Sequence, residues 1–225
     1  MSASVIIAGE TLELCAERAV WWPRRRILLV ADPHFGKAAA FRALGVRVPR
    51  GTTGDALARL DVLVARLAPA RIEFLGDFLH AREGRNPGTF AAIAAWRARH
   101  AGIEMRIVRG NHDRRAGDPP AEVGMACVDG PVREGSLALA HHPAPCDDAY
   151  VLAGHVHPCV VLVGRARQRE RLPCFLFGAE VGVLPAFGDF TGCAEVEPNE
   201  GDEVWVVAAD QVMRVGRAST RAPGA

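Results

Sequence analysis

The chain has 225 residues, 49% hydrophobic and 24% charged, with a formal net charge of +1. That balance excludes an intrinsically disordered chain and fits one globular domain with a sizeable core. Near-neutrality also excludes a global basic field, so any contact with nucleic acid must come from a local patch. Lys37 is the sole lysine; guanidinium groups suit bidentate phosphate contacts, although a GC-rich genome gives the same arginine bias.

In chain order, Trp21, Trp22 and Arg24 to Arg26 come first, offering aromatic stacking beside positive charge, against the plainer reading of a packed tryptophan pair. A short apolar run from Ile27 to Ala31 predicts a strand. Leu57, Leu60, Val64 and Leu67 recur at helical spacing, with Thr52, Thr53 or Asp55 as the expected cap. Ile72 to Leu75 predicts a second strand, and a helix is expected from near Asn86, with Pro87 in its first turn and Phe90, Ile93 and Trp96 or Arg97 on its apolar stripe. Further strands are predicted at Ile103 to Val108, Leu137 to Ala140, Tyr150 to Ala153, Val160 to Val163 and Val204 to Ala208.

Arg165, Arg167, Arg169 and Arg171 alternate, so on extended backbone they form one basic stripe, either a track for a phosphate backbone or a charged, protected strand edge. The second half is richer in strands than the first. The expected fold class is therefore α/β: two mixed β-sheets packed face to face as a sandwich with flanking helices. Residues 1–216 read as a single domain and 217–225 as a disordered tail. Six cysteines, Cys15, Cys127, Cys146, Cys159, Cys174 and Cys193, form no C-x-x-C pair and read as reduced, mostly buried thiols. With no signal-peptide pattern and no apolar run long enough to span a membrane, the expected location is the cytoplasm.

Five polar clusters each follow one of these apolar runs: Asp32-Pro33-His34, Gly76-Asp77, Gly110-Asn111-His112-Asp113, His141-His142 and Gly154-His155-Val156-His157. Strand ends in an open α/β sheet are where loops converge on a ligand. Each cluster alone is an ordinary turn; five in register with strand ends are not. Six of the eight histidines fall in them, which neither a core role nor a solvated one predicts. Carboxylate, amide and imidazole donors together suit Mn²⁺, Fe²⁺ or Zn²⁺, whereas Mg²⁺ favours oxygen alone. Asp32 with His34, and His155 with His157, are spaced i and i+2, so on extended backbone each pair is expected to grip the centre from one side. His142 reads equally as a ligand or as a strand-end histidine.

These blocks, in this order, resemble the pattern D-x-H, G-D, G-N-H-[DE], H and G-H-x-H of the calcineurin-like metallophosphoesterase superfamily. More narrowly, Asp32 to Lys37 (DPHFGK), Gly76 to Ala81 (GDFLHA) and Gly182 to Gly192 (GVLPAFGDFTG) resemble the bacterial ligase-associated DNA damage response endonucleases of the PdeM type. Pro33 stands where that family usually has leucine, and Asp189 where it has a small residue. The resemblance implies a metallophosphoesterase fold with one metal on Asp32, His34, Asp77 and His157 and a second on Asp77, Asn111, His141 and His155, Asp77 bridging. It further implies two divalent ions, Mn²⁺ first among them, in-line attack by a hydroxide generated on the ions, and protonation of the leaving oxygen by His112.

His80 is a candidate for holding the substrate phosphate, Asp113 for orienting His112, and Arg82, Arg85 and Asn111 for substrate contacts. The resemblance alone implies the substrate and partners, DNA, single-stranded by preference, in a repair pathway with an ATP-dependent DNA ligase and a helicase; no membrane partner is expected, and a homodimer is a compatible state. The enzymatic alternative is a phosphoesterase for a small nucleotide or cyclic nucleotide, favoured by a narrow pocket. A non-catalytic scaffold would have eroded ligands, and every expected ligand position is filled here.

Overall fold

The structure, a computed structural model, describes residues 2–48, 51–163 and 168–215. The expected tail and Arg165 and Arg167 of the stripe lie outside the described residues.

Strands β1 (Ala3–Ile7), β2 (Glu10–Cys15), β3 (Ala19–Trp22) and β4 (Ile27–Val30) form an antiparallel meander. Helices α1 (Lys37–Ala43) and α2 (Thr52–Leu67) follow, then β5 (Arg71–Phe74), α3 (Pro87–Arg99), β6 (Glu104–Val108), α4 (Asn111–Ala116) and β7 (Ala126–Val128). β4 to β7 run parallel and complete a seven-stranded sheet ordered β1-β2-β3-β4-β5-β6-β7.

The second sheet has nine strands: β8 (Val132–Glu134), β9 (Leu137–Leu139), β10 (Tyr150–Ala153), β11 (Pro158–Val163), β12 (Arg169–Phe177), β13 (Val181–Val183), β14 (Ala194–Glu195), β15 (Glu203–Ala208) and β16 (Gln211–Val215). β9, β10 and β13 are mutually parallel at its centre. The expected sandwich is what forms.

β4 shows why the parallel strands read as unbroken apolar runs: buried on both faces, it has no polar side to show. Leu28 and Val30 face a core shared with α2 and α3, where Leu57, Leu60, Leu63, Ile93 and Trp96 pack on Ile72, Phe74 and Ile107. Ile27 and Leu29 face the opposite way, into an inter-sheet core with Leu12, Leu139, Leu152, Phe175 and Leu184. Burying one such leucine stabilises the fold by roughly 1.5–3 kcal/mol, so these two layers fix the sandwich.

α3 starts as its sequence predicts, with Asn86 accepting from the Thr89 N–H (2.9 Å) and Pro87 in the first turn. α2 does not: its cap is left-handed Gly51, and the Thr53 hydroxyl instead accepts from the Gly36 N–H (3.2 Å), tying α2 to the loop before α1. Trp22 is fully buried and donates to Glu10 (3.0 Å), while Arg24 pairs with Glu10, Arg25 covers Trp22 and Arg26 holds the Ala68 carbonyl. The tryptophan pair is packing, not a stacking platform.

The thiol reading is also corrected. Cys159 and Cys193 form a disulfide, their Cα atoms 5.8 Å apart, while Cys15, Cys127, Cys146 and Cys174 are free. The parallel pairing of β11 with β14 brings the two together across 34 residues, a tertiary event that no local spacing announces. No helix of the described residues is long and apolar enough to cross a membrane.

Candidate metal centre

Three parallel neighbours, β4, β5 and β6, end side by side and release Asp32, Asp77 and Asn111; β9 and β10 of the other sheet release His141, His155 and His157 toward the same point. The loops after β4 and β5 are zipped together by His34 N–H to Asp77 carbonyl (2.9 Å) and Phe35 N–H to Phe78 carbonyl (2.8 Å).

The backbone there is not extended, as the pairwise spacing had predicted. Asp32 (φ 50°), His34 (47°), Asp77 (47°), His155 (72°) and His157 (53°) all sit in the left-handed region, where a non-glycine residue costs about 1–3 kcal/mol. Such strain clusters at functional sites because surrounding structure over-determines it. The neighbouring glycines are steric requirements: a Cβ on Gly76 would strike the His141 ring, one on Gly110 the Asp77 carboxylate, and one on Gly154 the Asp32 carboxylate.

Asp77 stands between two groups. Its Oδ2 is 3.7 Å from His34 Nε2, which lies 3.3 Å from His157 Nε2; His157 Nε2 is in turn 3.7 Å from Asp32 Oδ2. Its Oδ1 is 3.4 Å from His141 Nε2, which lies 3.0 Å from Asn111 Oδ1 and 3.1 Å from His155 Nδ1. Asp32 and His34 therefore share one side, as expected, but His155 and His157 part, one to each group.

The donors fit a pair of divalent cations. His141 Nδ1 donates to the Leu75 carbonyl (3.1 Å), which fixes the tautomer and leaves Nε2 as a lone pair facing two oxygen acceptors. Asp32 Oδ2 accepts from the His155 N–H (2.8 Å), while its Oδ1 is buried with no hydrogen-bond partner. Burial, then the Asp77 charge, pushes the Asp32 carboxyl well above its ordinary range. Burial, then His157, pushes His34 well down, and burial takes His141 down to about 4 against the pull of Asp77. His157 and His155 are also lowered, chiefly by burial, then by Lys37 and His142 respectively. Neutral imidazoles and carboxylates that lack a counter-charge are the state a cation completes.

His112 starts α4, with its Nδ1–H on the His80 carbonyl and its Nε2 3.9 Å from Asp77 Oδ2. His80 stacks on His112, centroids 4.9 Å apart, and its Nδ1 is 3.3 Å from His34 Nδ1; burial, then Lys37, takes it down to about 4. Asp113 does not engage His112. Its carboxylate accepts from the backbone N–H groups of Leu79 (3.0 Å) and Gly110 (2.9 Å), because it points into the junction of two loops. Arg82 and Arg85 likewise turn to backbone, Arg82 to the Arg115 carbonyl and Arg85 to those of Gly117 and Asp118. His142 is exposed, its ring 4.3 Å from that of His155.

Two supports were not visible in the sequence. Phe187 N–H bonds the Ala31 carbonyl (2.7 Å) and Gly188 N–H that of Asp32 (3.2 Å), so the segment after β13 backs the Asp32 loop. Asp189 there is held by Arg59 (2.7 Å) and Arg18, which explains how its charge is accommodated. Pro33 packs on the same segment: a Cβ on Gly188 would meet its carbonyl.

No protein-family model matches the chain, and no curated protein does. Among solved structures, the nuclease MPE of Pseudomonas putida is 43% identical, with a TM-score of 0.85, over 96% of this chain and 100% of that one. A protein of unknown function, AQ665, from Aquifex aeolicus is 16% identical over 58% of this chain and 78% of that one, with a TM-score of 0.38. The E. coli phosphoesterase Yfce is 15% identical over 84% and 97%, with a TM-score of 0.36. Both lie too far away to bear on fold or chemistry. With 43% identity along the full length of the nuclease, the chain belongs to the metallophosphoesterase superfamily, in the family of that Pseudomonas putida protein.

Proposed function

We propose that this chain is a two-metal phosphodiesterase that cuts DNA internally, prefers single strands and works with manganese. The observation that carries the reading is the placement of Asp77, whose two carboxylate oxygens face separate groups of donors. The first ion is assigned to Asp32, His34, Asp77 and His157, and the second to Asp77, Asn111, His141 and His155. When bound, two such ions bring the pKa of water toward about 7 and neutralise the phosphoryl oxygens.

The protein's own groups do the rest. The His80 carbonyl holds the His112 ring so that Nε2 faces the site, and protonated there it hands its proton to the departing ester oxygen. His80, stacked on His112, flanks the phosphate, the Asn111 amide nitrogen reaches a phosphoryl oxygen, and exposed Arg82 keeps its terminal nitrogens for the strand. Asp113 acts through the loops it joins and not as a proton-transfer partner.

A polymer fits better than a small nucleotide. Ligand pockets usually measure about 300–1,000 Å³, yet the concavities touching the centre are about 190 Å³ beside His141 and His142 and about 10 Å³ beside His34. None of the residues lining the concavities of about 480–500 Å³ is one of the donors. The nuclease neighbour supports a nucleic-acid substrate. Repair with an ATP-dependent ligase and a helicase, a cytoplasmic setting and a homodimer complete the proposal and rest on the sequence resemblance.

The test is manganese-dependent cleavage of circular single-stranded DNA, which has no ends. Cutting by wild type and its loss in Asp77→Ala is the expected result. No cutting by a preparation that hydrolyses a small nucleotide ester overturns the nuclease reading.

A further inference from the structure

We infer that Phe41 and Phe190 form a stacking subsite for an unpaired nucleobase next to the scissile phosphate; the inference rests on the phosphodiesterase reading above. Three rings run nearly parallel away from Asp77: His112 on His80 (4.9 Å, 20°) and His80 on Phe41 (6.0 Å, 15°). Phe190 meets Phe41 edge-on, 5.9 Å away at 84°. The column starts at a side chain placed on the reacting phosphate and ends at a ring that is 39% exposed.

Packing does not account for the outer rings. Neither Phe41 nor Phe190 joins a buried core. The N–H groups of Leu44 and Val46 bond back to the Phe41 carbonyl, and both of those side chains are exposed. Phe190 rides between Asp189, fixed by Arg59 and Arg18, and Thr191, whose hydroxyl donates to the Gly188 carbonyl (2.9 Å).

Charge identifies the occupant. Lys37 and Phe41 lie i and i+4 on α1, hence on one face, and Lys37 is close enough to Phe190's segment for its Nζ to lie 3.5 Å from the Thr191 carbonyl. A cation beside aromatic rings, continuous with a phosphodiester site, matches one nucleotide's phosphate and base. The rings stack on a base only if its face is free, so the subsite takes single strands and rejects intact duplex.

The test uses the metal-loaded protein with a single-stranded oligonucleotide, the same strand with abasic sites flanking the cleavage position, and bis-aryl phosphate. Wild type should lose about 5- to 150-fold in kcat/KM on the abasic strand, as a stacked base worth ~1–3 kcal/mol implies. Phe190→Ala and Phe41→Ala should lose by that factor more on the intact strand than on the aryl diester, and should no longer distinguish the abasic strand. Phe190→Trp should recover the discrimination. Variants that cut the intact strand as wild type does overturn the subsite and leave the nuclease standing. Equal losses on strand and aryl diester assign the rings to supporting the metal centre and also overturn it. A wild type that hydrolyses the aryl diester but cuts no DNA removes the nuclease reading itself, and the subsite's occupant with it.

Discussion

Two adjacent residues, His112 and Asp113, begin the same helix and face different tasks. His112 is half-buried with a ring nitrogen turned to the site; Asp113 is buried with both oxygens on backbone N–H groups. A general acid matters most for a poor leaving group, so His112→Ala should cost about 10²- to 10⁴-fold on DNA and much less on an activated aryl diester. Assaying both substrates checks this, and equal losses would remove the acid role. Asp113→Ala should behave otherwise: two buried N–H groups lose their acceptor, each worth roughly 1–3 kcal/mol. Urea melts should show that destabilisation, and any fall in activity should be the same on both substrates; a loss confined to DNA would return Asp113 to the proton path. Three of the candidate ligand positions, Asp77, Asn111 and His155, were legible beside a glycine that sterics demand, and the others by their order along the chain. Asp113's true partners were not, since its nearest backbone donor beyond its own turn lies 34 residues away.

The segment from Phe187 to Thr191 has no regular structure, yet it links α2 to the metal loop. Arg59 grips both Asp189 oxygens (2.9 and 2.7 Å) and lies 4.2 Å over the Phe187 ring, while the Thr191 carbonyl lies 3.5 Å from Lys37 Nζ. Burial alone would raise the Asp189 carboxyl, but Arg18 and Arg59 outweigh it and hold it below its ordinary value. A depressed carboxyl stabilises the fold above the unfolded value of about 3.9 and ceases to do so as pH falls through the folded value. Because Asp189 is half-exposed, the contribution is about 0.2–1 kcal/mol. Asp189→Asn should therefore be less stable than wild type by that amount at pH 7, with the gap closing only below the ordinary carboxylate range; urea melts across pH read it, and a gap that persists in acid would deny the ion pair its role. Elements buried on both faces, such as β4, were legible as apolar runs. β12 was legible only at its start, where Arg169 and Arg171 alternate as on extended backbone, because Pro173 argues against the strand's continuing. α4 was hidden by its six-residue length and its overlap with the G-N-H-D motif.

Between the two sheets run an inter-sheet apolar core and two polar links. Glu73, fully buried on β5, binds Arg106 (2.5 Å), and Arg71 and Arg106 reach Glu134 on β8 (2.5 and 2.9 Å). The proposed metal centre is the second link, with Asp32, Asp77 and Asn111 from one sheet and His141, His155 and His157 from the other. The proposal couples sheet packing to cation binding: unfolded chain lacks the site, so cations that bind only the folded state stabilise it by RT ln(1 + [L]/Kd), about 2.7 kcal/mol at a hundredfold excess over Kd. For a chain of this size that is a rise in Tm of about 5–10 °C. The two links should separate experimentally. Asp77→Asn should abolish most of the manganese-induced rise while leaving the metal-free Tm unchanged or higher, because it relieves the repulsion between Asp77 and buried Asp32. Glu73→Ala should lower Tm equally with and without manganese, since breaking a buried ion pair costs about 3–5 kcal/mol whatever occupies the other end of the interface. Melting curves of the three proteins with manganese and with chelator check this directly, and a Glu73→Ala deficit that manganese erased would mean that the two links are one.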